Sequence, residues 1–148
     1  MNRATSIIVR ALAVFVVAFL LNWIWETAQL PFYATYEDLS VVHRFVHCLP
    51  ATVADAFYTA LIYWAGVIAL RDERWITNLK HLRSVVVAFV GAATAIVVES
   101  LALNNSWWIY APAMPRVPVF GVGLLPVMQL ATLPLMTFLF ARRMLRNT

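Results

Sequence analysis

Four long apolar stretches, residues 11–30, 51–70, 84–103 and 117–140, dominate this 148-residue chain and leave short connections between them. A helix of ~20 residues rises ~30 Å, the thickness of a bilayer's hydrocarbon layer, so each stretch is long enough to cross a membrane. Helices are the expected form. An open sheet would leave backbone groups unpaired in lipid, and the alternation of barrel strands is absent. The chain is 63% hydrophobic and 12% charged, whereas soluble domains carry charge on roughly a quarter of their residues. The expectation is a single all-α domain over residues 1–148, a polytopic bundle of four transmembrane helices with no length left for a soluble domain.

The basic residues set an orientation. Arg3 and Arg10 precede the first span, Arg71, Arg74, Lys80 and Arg83 lie between the second and third, and Arg142, Arg143 and Arg146 follow the fourth. That places nine of the eleven Lys and Arg residues on one side, leaving Arg44 and Arg116 for the other two loops. Positive residues stay cytoplasmic, so both termini are expected in the cytoplasm and loops one and three outside, in a multi-pass protein of the bacterial inner membrane. The net charge of +4 is therefore a topology signal, and no nucleic-acid partner is implied. The first span runs into Asn22-Trp23-Ile24-Trp25-Glu26 without a small-residue cleavage pattern, so it is read as retained.

Against this background three acids stand out: Glu26, Asp55 and Glu99 each sit in a different apolar stretch. An ionisable group in hydrocarbon costs several kcal/mol. Each lies about one turn, ~6 to 8 Å, from the outer end of its span, so the three are expected to meet in one pocket of the outer leaflet. Asn22, Glu26, Gln29 and Tyr33 recur at helical spacing and share a face. Pro50 suits the first turn of the second span, which also carries Asp55, Tyr58 and Thr59. Gly91-Ala92-Ala93-Thr94-Ala95 lets helices approach closely below the acids. The fourth span, with Pro118, Gly121, Gly123, Pro126 and Pro134, is expected to bend and to aim Gln129 at the pocket. In loop one, residues 40–47 suit a short helix lying on the outer surface, and residues 104–110 suit a cap across the mouth of the bundle.

The acids read either as interhelical hydrogen-bonding groups or as agents of proton chemistry, cation binding or metal ligation. Glu26, Asp55, Glu99 and Tyr110 are the catalytic candidates. Asn22, Trp25, Gln29, Tyr58, Trp108 and Gln129 are the substrate-binding candidates. His43 and His47 are four apart; His47, next to the second span, would turn inwards and complete a divalent-metal site with Glu26, Asp55 and Glu99, an oxygen-rich set suited to iron, manganese or zinc. Trp23, Trp107 and Trp108 also fit an ordinary interfacial belt. The single cysteine, Cys48, excludes an internal disulfide and reads as a buried free thiol. His81 reads as a surface residue. Phosphate-loop, serine-elbow and zincin motifs are absent, as is any internal repeat.

Trp25-Glu26, Gln29, Pro31, Tyr33, His47-Cys48, Asp55, Glu99, Trp108-x-Tyr110, Met114-Pro115, Pro118, Gly121-x-Gly123, Pro126 and Gln129 together resemble a group of small bacterial four-helix membrane proteins without an assigned activity. Ala54 stands where that pattern has glycine. The resemblance implies that these polar positions belong together and supplies no substrate. Three functions remain open. The first is an intramembrane enzyme that isomerises or cyclises an isoprenoid or other lipid by acid–base chemistry, or by metal-assisted chemistry. The second is an accessory subunit of a larger membrane complex, or a holder of lipid or cation. The third is a proton-coupled carrier, which at this size would need a homodimer.

Overall fold

The computed structural model describes residues 3–36 and 38–144. Four helices long and apolar enough to cross a membrane lie among them: α1 (Arg3–Gln29), α2 (Val41–Leu70), α3 (His81–Asn104) and α4 (Leu124–Met144). The all-α bundle expected from the apolar stretches is therefore present, and β structure among the described residues is limited to two isolated bridges, Tyr33 with Tyr110 and Arg116 with Gly123.

Two boundaries differ from the sequence expectation. Loop one does not form a separate surface helix: α2 starts at Val41, where the Ser40 side chain caps the His43 N–H, and runs unbroken through Pro50. Pro50 thus sits about two and a half turns in, where its missing N–H removes one rung of the ladder without ending the helix. At the other end of the chain, α4 begins at Leu124. Pro118, Gly121 and Gly123 belong to the preceding loop, where Gly121 takes φ +69° in a tight turn closed by its N–H on the Val117 carbonyl (2.8 Å). Of the expected helix-bending residues only Pro126 and Pro134 lie in α4. Pro126 falls in the first turn, where an N–H would have no helical partner anyway.

Pro134 has a consequence across the bundle. It cannot donate to the carbonyl four residues back, that of Leu130. Gly91 of α3 packs directly on this oxygen: a Cβ at position 91 would lie 1.9 Å from Leu130 O. The small-residue run in α3 therefore serves close approach, as expected, and covers a carbonyl that α4 itself leaves open.

The helices form a series of neighbours. α1 packs on α2 and α4, and α4 packs on α3, but α2 and α3 hardly touch. The ring is open on that side, bridged by the Tyr58 hydroxyl, which reaches Thr94 Oγ1 (2.9 Å) and the Val90 carbonyl (3.2 Å).

The end of the bundle near the α2–α3 connection is filled. Trp75 and Ile76, in a 3-10 turn (Trp75–Asn78), fold back between the helices and join Val14, Tyr63, Val87, Phe138 and Ala141 in one buried cluster. The Trp75 ring meets Phe138 edge-on at 5.2 Å, and its indole N–H donates to the Tyr63 carbonyl (3.0 Å). The Tyr63 hydroxyl donates in turn to the Glu73 carbonyl (3.0 Å). Gly66 makes room for the indole, since a Cβ there would sit 2.3 Å from the ring. Arg10, expected in the flanking basic set, is buried at the same end and donates through Nε to Ser6 (3.3 Å).

Candidate functional site

At the opposite end the four helices enclose a cavity of about 380 Å³. Its size falls in the range of small-molecule pockets. Glu26 of α1, Asp55 of α2 and Glu99 of α3 all line it, together with Gln129 of α4. One polar group from each helix therefore faces one hollow. Ala51, Ala54, Ala95, Val98 and Leu130 supply apolar wall, and Tyr33, Tyr36 and Trp108 supply aromatic wall.

Gln129 is the hub. Its side-chain nitrogen lies 2.9 Å from Asn22 Oδ1, 2.8 Å from Glu26 Oε1 and 2.7 Å from Asp55 Oδ2. Two N–H groups serve three oxygens, so one N–H is shared. Gln129 Oε1 accepts from Gln29 Nε2 (3.1 Å), and Gln29 Oε1 accepts from the Trp25 indole (3.2 Å). Asn22 is held by its own donation to the Ala18 carbonyl (2.9 Å), which leaves its oxygen for Gln129. The Glu26 and Asp55 carboxyls thus meet at a single nitrogen, that of Gln129.

Glu99 is held differently. Its Oε2 accepts from the Trp108 indole (3.2 Å) and from the Tyr110 hydroxyl, and the Tyr110 oxygen accepts the Gly123 N–H (2.9 Å). Gly123 eases this approach, because a Cβ there would lie a tight 3.1 Å from the Tyr110 ring, its hydroxyl and Met114 Sδ, and these side chains would have to give by a few tenths of an ångström. The arrangement presents a cavity-lining carboxyl fixed by two donors on one oxygen.

Loops one and three form the roof. Tyr33 and Tyr110 pair as an antiparallel bridge, with Ala34 N–H donating to the Ile109 carbonyl and Ala111 N–H to the Phe32 carbonyl, both at 2.9 Å. The Tyr33 ring contacts Tyr110 at 5.6 Å, Tyr36 at 6.1 Å and Trp108 at 6.3 Å. Arg116 lies over Tyr110, 5.3 Å from its centroid. Burial pushes the Tyr33 phenol well above its ordinary 10.0, with the charges of Glu99 and Glu26 adding to the effect. Burial and the bond to Glu99 push Tyr110 up as well. Both roof phenols stay neutral and able to donate.

Several candidates occupy other roles than those expected of them. Asn22 and Trp25 stand behind the cavity wall and orient Gln129 and Gln29; neither lines the cavity. Tyr58 points across to α3, below the acids. Tyr110 donates to Glu99 and is not itself part of the wall. Gln29, Trp108 and Gln129 do line the cavity. The expected metal set does not assemble: among the described residues no group of three or more His, Cys, Asp and Glu is arranged to hold an ion. His47 reaches the cavity wall but is exposed, and its Nδ1 is tied to the His43 carbonyl (2.9 Å) one turn back. Cys48 is free and buried on the same wall. Among the residues not singled out for the site, Tyr36 and Leu30 also line it; for Tyr36 the signal was a second tyrosine three residues beyond Tyr33.

Compared with known proteins, the chain matches no family model, no curated protein and no solved structure.

Proposed function

We propose that this chain is an intramembrane enzyme performing acid–base chemistry on a lipophilic molecule, an isomerisation or cyclisation of an isoprenoid or other unsaturated lipid, in the outer leaflet of a bacterial inner membrane. The observation that carries the reading is the unequal treatment of three carboxyls on one cavity. Glu26 and Asp55 converge on one nitrogen, that of Gln129, at 2.8 and 2.7 Å, and two carboxyls brought this close favour sharing a proton because like charges repel. Glu99 accepts two donors on one oxygen, an arrangement that suits the ionised form. A pair of acids set apart in this way can divide the work of donor and acceptor.

In the simplest reaction the Glu26–Asp55 pair delivers its proton to one carbon of a C=C bond. The resulting carbocation faces the rings of Trp108 and Tyr33, whose π-faces favour positive charge. Glu99 then removes a proton from a carbon next to the cationic centre, and a double bond forms one position along. One proton enters the substrate and one leaves, so no co-reactant is consumed.

The test uses solvent deuterium. Purified protein in lipid nanodiscs is incubated in D2O with lipids extracted from the host membrane, and the lipids are analysed by mass spectrometry. One lipid class should gain deuterium with the wild type. Asp55→Asn and Glu99→Gln should reduce the rate by about 10² to 10⁴, the usual worth of a general acid or base, while circular dichroism and elution volume stay unchanged. Absence of exchange into every lipid, or wild-type exchange in both variants, would overturn the reading.

A further inference from the structure

The side of the bundle between α2 and α3 carries three observations that belong together. First, these two helices hardly touch, while every other neighbouring pair is packed. Second, Pro50, Ala51 and Ala54 on α2 and Val98 on α3 line the cavity and are themselves exposed, Val98 by 41%. The cavity therefore borders the gap between these two helices, flanked there by the small side chains of Ala51 and Ala54. Third, the Tyr58–Thr94 hydrogen bond, one helical turn deeper than Ala54 and Val98, ties the two helices and closes the slot from below.

The slot lies at a defined depth. Counting back ~30 Å from Leu70, the last residue of α2, reaches Pro50, so Pro50 to Ala54 occupy the first ~6 Å under the interface. The mouth facing the aqueous side is covered by the Tyr33–Tyr110 bridge and its rings. At about 380 Å³ the cavity offers room for on the order of a dozen water-sized groups of ~30 Å³ each, too few for a whole lipid chain. Three carboxyls on the wall repel an anionic head.

Resting on the acid–base reading above, we infer that the substrate is a single-chain amphiphile with a small uncharged head, an alcohol or an alkene, that reaches the cavity sideways from the bilayer between α2 and α3. Its head sits among Glu26, Asp55 and Glu99, and its tail passes out over Ala54 and Val98 and remains in lipid.

The probe is hexadecanol bearing a diazirine beside its hydroxyl end, photolysed in phosphatidylcholine nanodiscs and mapped by peptide mass spectrometry. In the wild type the adducts should fall on the segments carrying Asp55 and Glu99. Ala54→Phe should lower them at least about tenfold by filling the slot, and Ala28→Phe, on an exposed position of α1, should leave them unchanged. Val98→Trp blocks the same slot from α3 and decides the matter should Ala54→Phe fail to fold. Undiminished labelling in both blocked variants, or wild-type adducts confined to surface residues, would overturn the inference. Labelling reports occupancy and not turnover. Loss of deuterium exchange with intact slot-dependent labelling strikes the proposed chemistry alone, and the reverse result leaves the chemistry with another way in.

Discussion

The two ends of this bundle solve the same packing problem in opposite ways. Near the α2–α3 connection, a loop tryptophan is driven between the helices until Tyr63, Ile76 and Phe138 are fully buried around it. Near loops one and three, large rings are equally abundant, yet Tyr33, Trp108 and Tyr110 lie across the mouth as a roof and the space beneath stays hollow. The difference is one of attachment. Trp75 hangs from a short 3-10 turn that can fold inwards, whereas the roof rings are fixed by backbone pairing of two loops. A bundle with one closed end tolerates a polar hollow at the other, because its helices are already held together.

That contrast can be broken from either side. Trp75→Ala empties the closed end, and truncating a buried aromatic in this way costs about 3–5 kcal/mol. Thermal unfolding in detergent should show the loss, while deuterium exchange, measured at a temperature where the variant is folded, should persist. Gln129→Leu acts on the hollow end. It removes both N–H groups from Asn22, Glu26 and Asp55 and strands the Gln29 amide, at a cost of about 1–3 kcal/mol. The same unfolding assay should register a smaller loss than for Trp75→Ala, with exchange abolished. An equal stability loss from both variants would mean that the hollow end carries as much of the fold as the closed end.

The smallest effect concerns the roof alone. Tyr33, Tyr36 and Tyr110 are all pushed above their ordinary 10.0 by burial. The folded state therefore binds the phenolic proton more tightly than the unfolded chain does, and the corresponding stability is complete below pH ~10 and is lost as the pH rises beyond it. Melting temperatures recorded from pH 8 to 11 should fall above about pH 10, and Tyr33→Phe should blunt the fall.

Much of the hollow end was legible in the sequence. An acid is costly in lipid, so Glu26, Asp55 and Glu99 had to turn inwards, and helical spacing alone put Asn22, Glu26 and Gln29 on one face. The closed end was not legible. Trp75 and Ile76 are two apolar residues among Asp72, Glu73, Arg74 and Lys80, and a connection so charged reads as solvated; only the three-dimensional gap beside Gly66 shows why they fold back. Pro50 misled for a related reason. A proline is at home in a first turn, but α2 starts earlier, at Val41, and runs on through the one rung that Pro50 removes. The metal set expected of Glu26, His47, Asp55 and Glu99 does not assemble among the described residues, because spacing along one helix does not say which way a ring turns: His47 is exposed and its Nδ1 is tied to the His43 carbonyl.

The Trp25 indole has an influence out of proportion to its place behind the wall. It owns a hydrogen to give and no lone pair to receive, so it dictates which way round the Gln29 amide sits, and through it the Gln129 amide. Were that sequence of amides reversed, the Gln129 oxygen would face Asn22 Oδ1, Glu26 and Asp55, and its three bonds from nitrogen would be lost. A ring behind the wall thus decides that the polar floor offers N–H groups to its two acids.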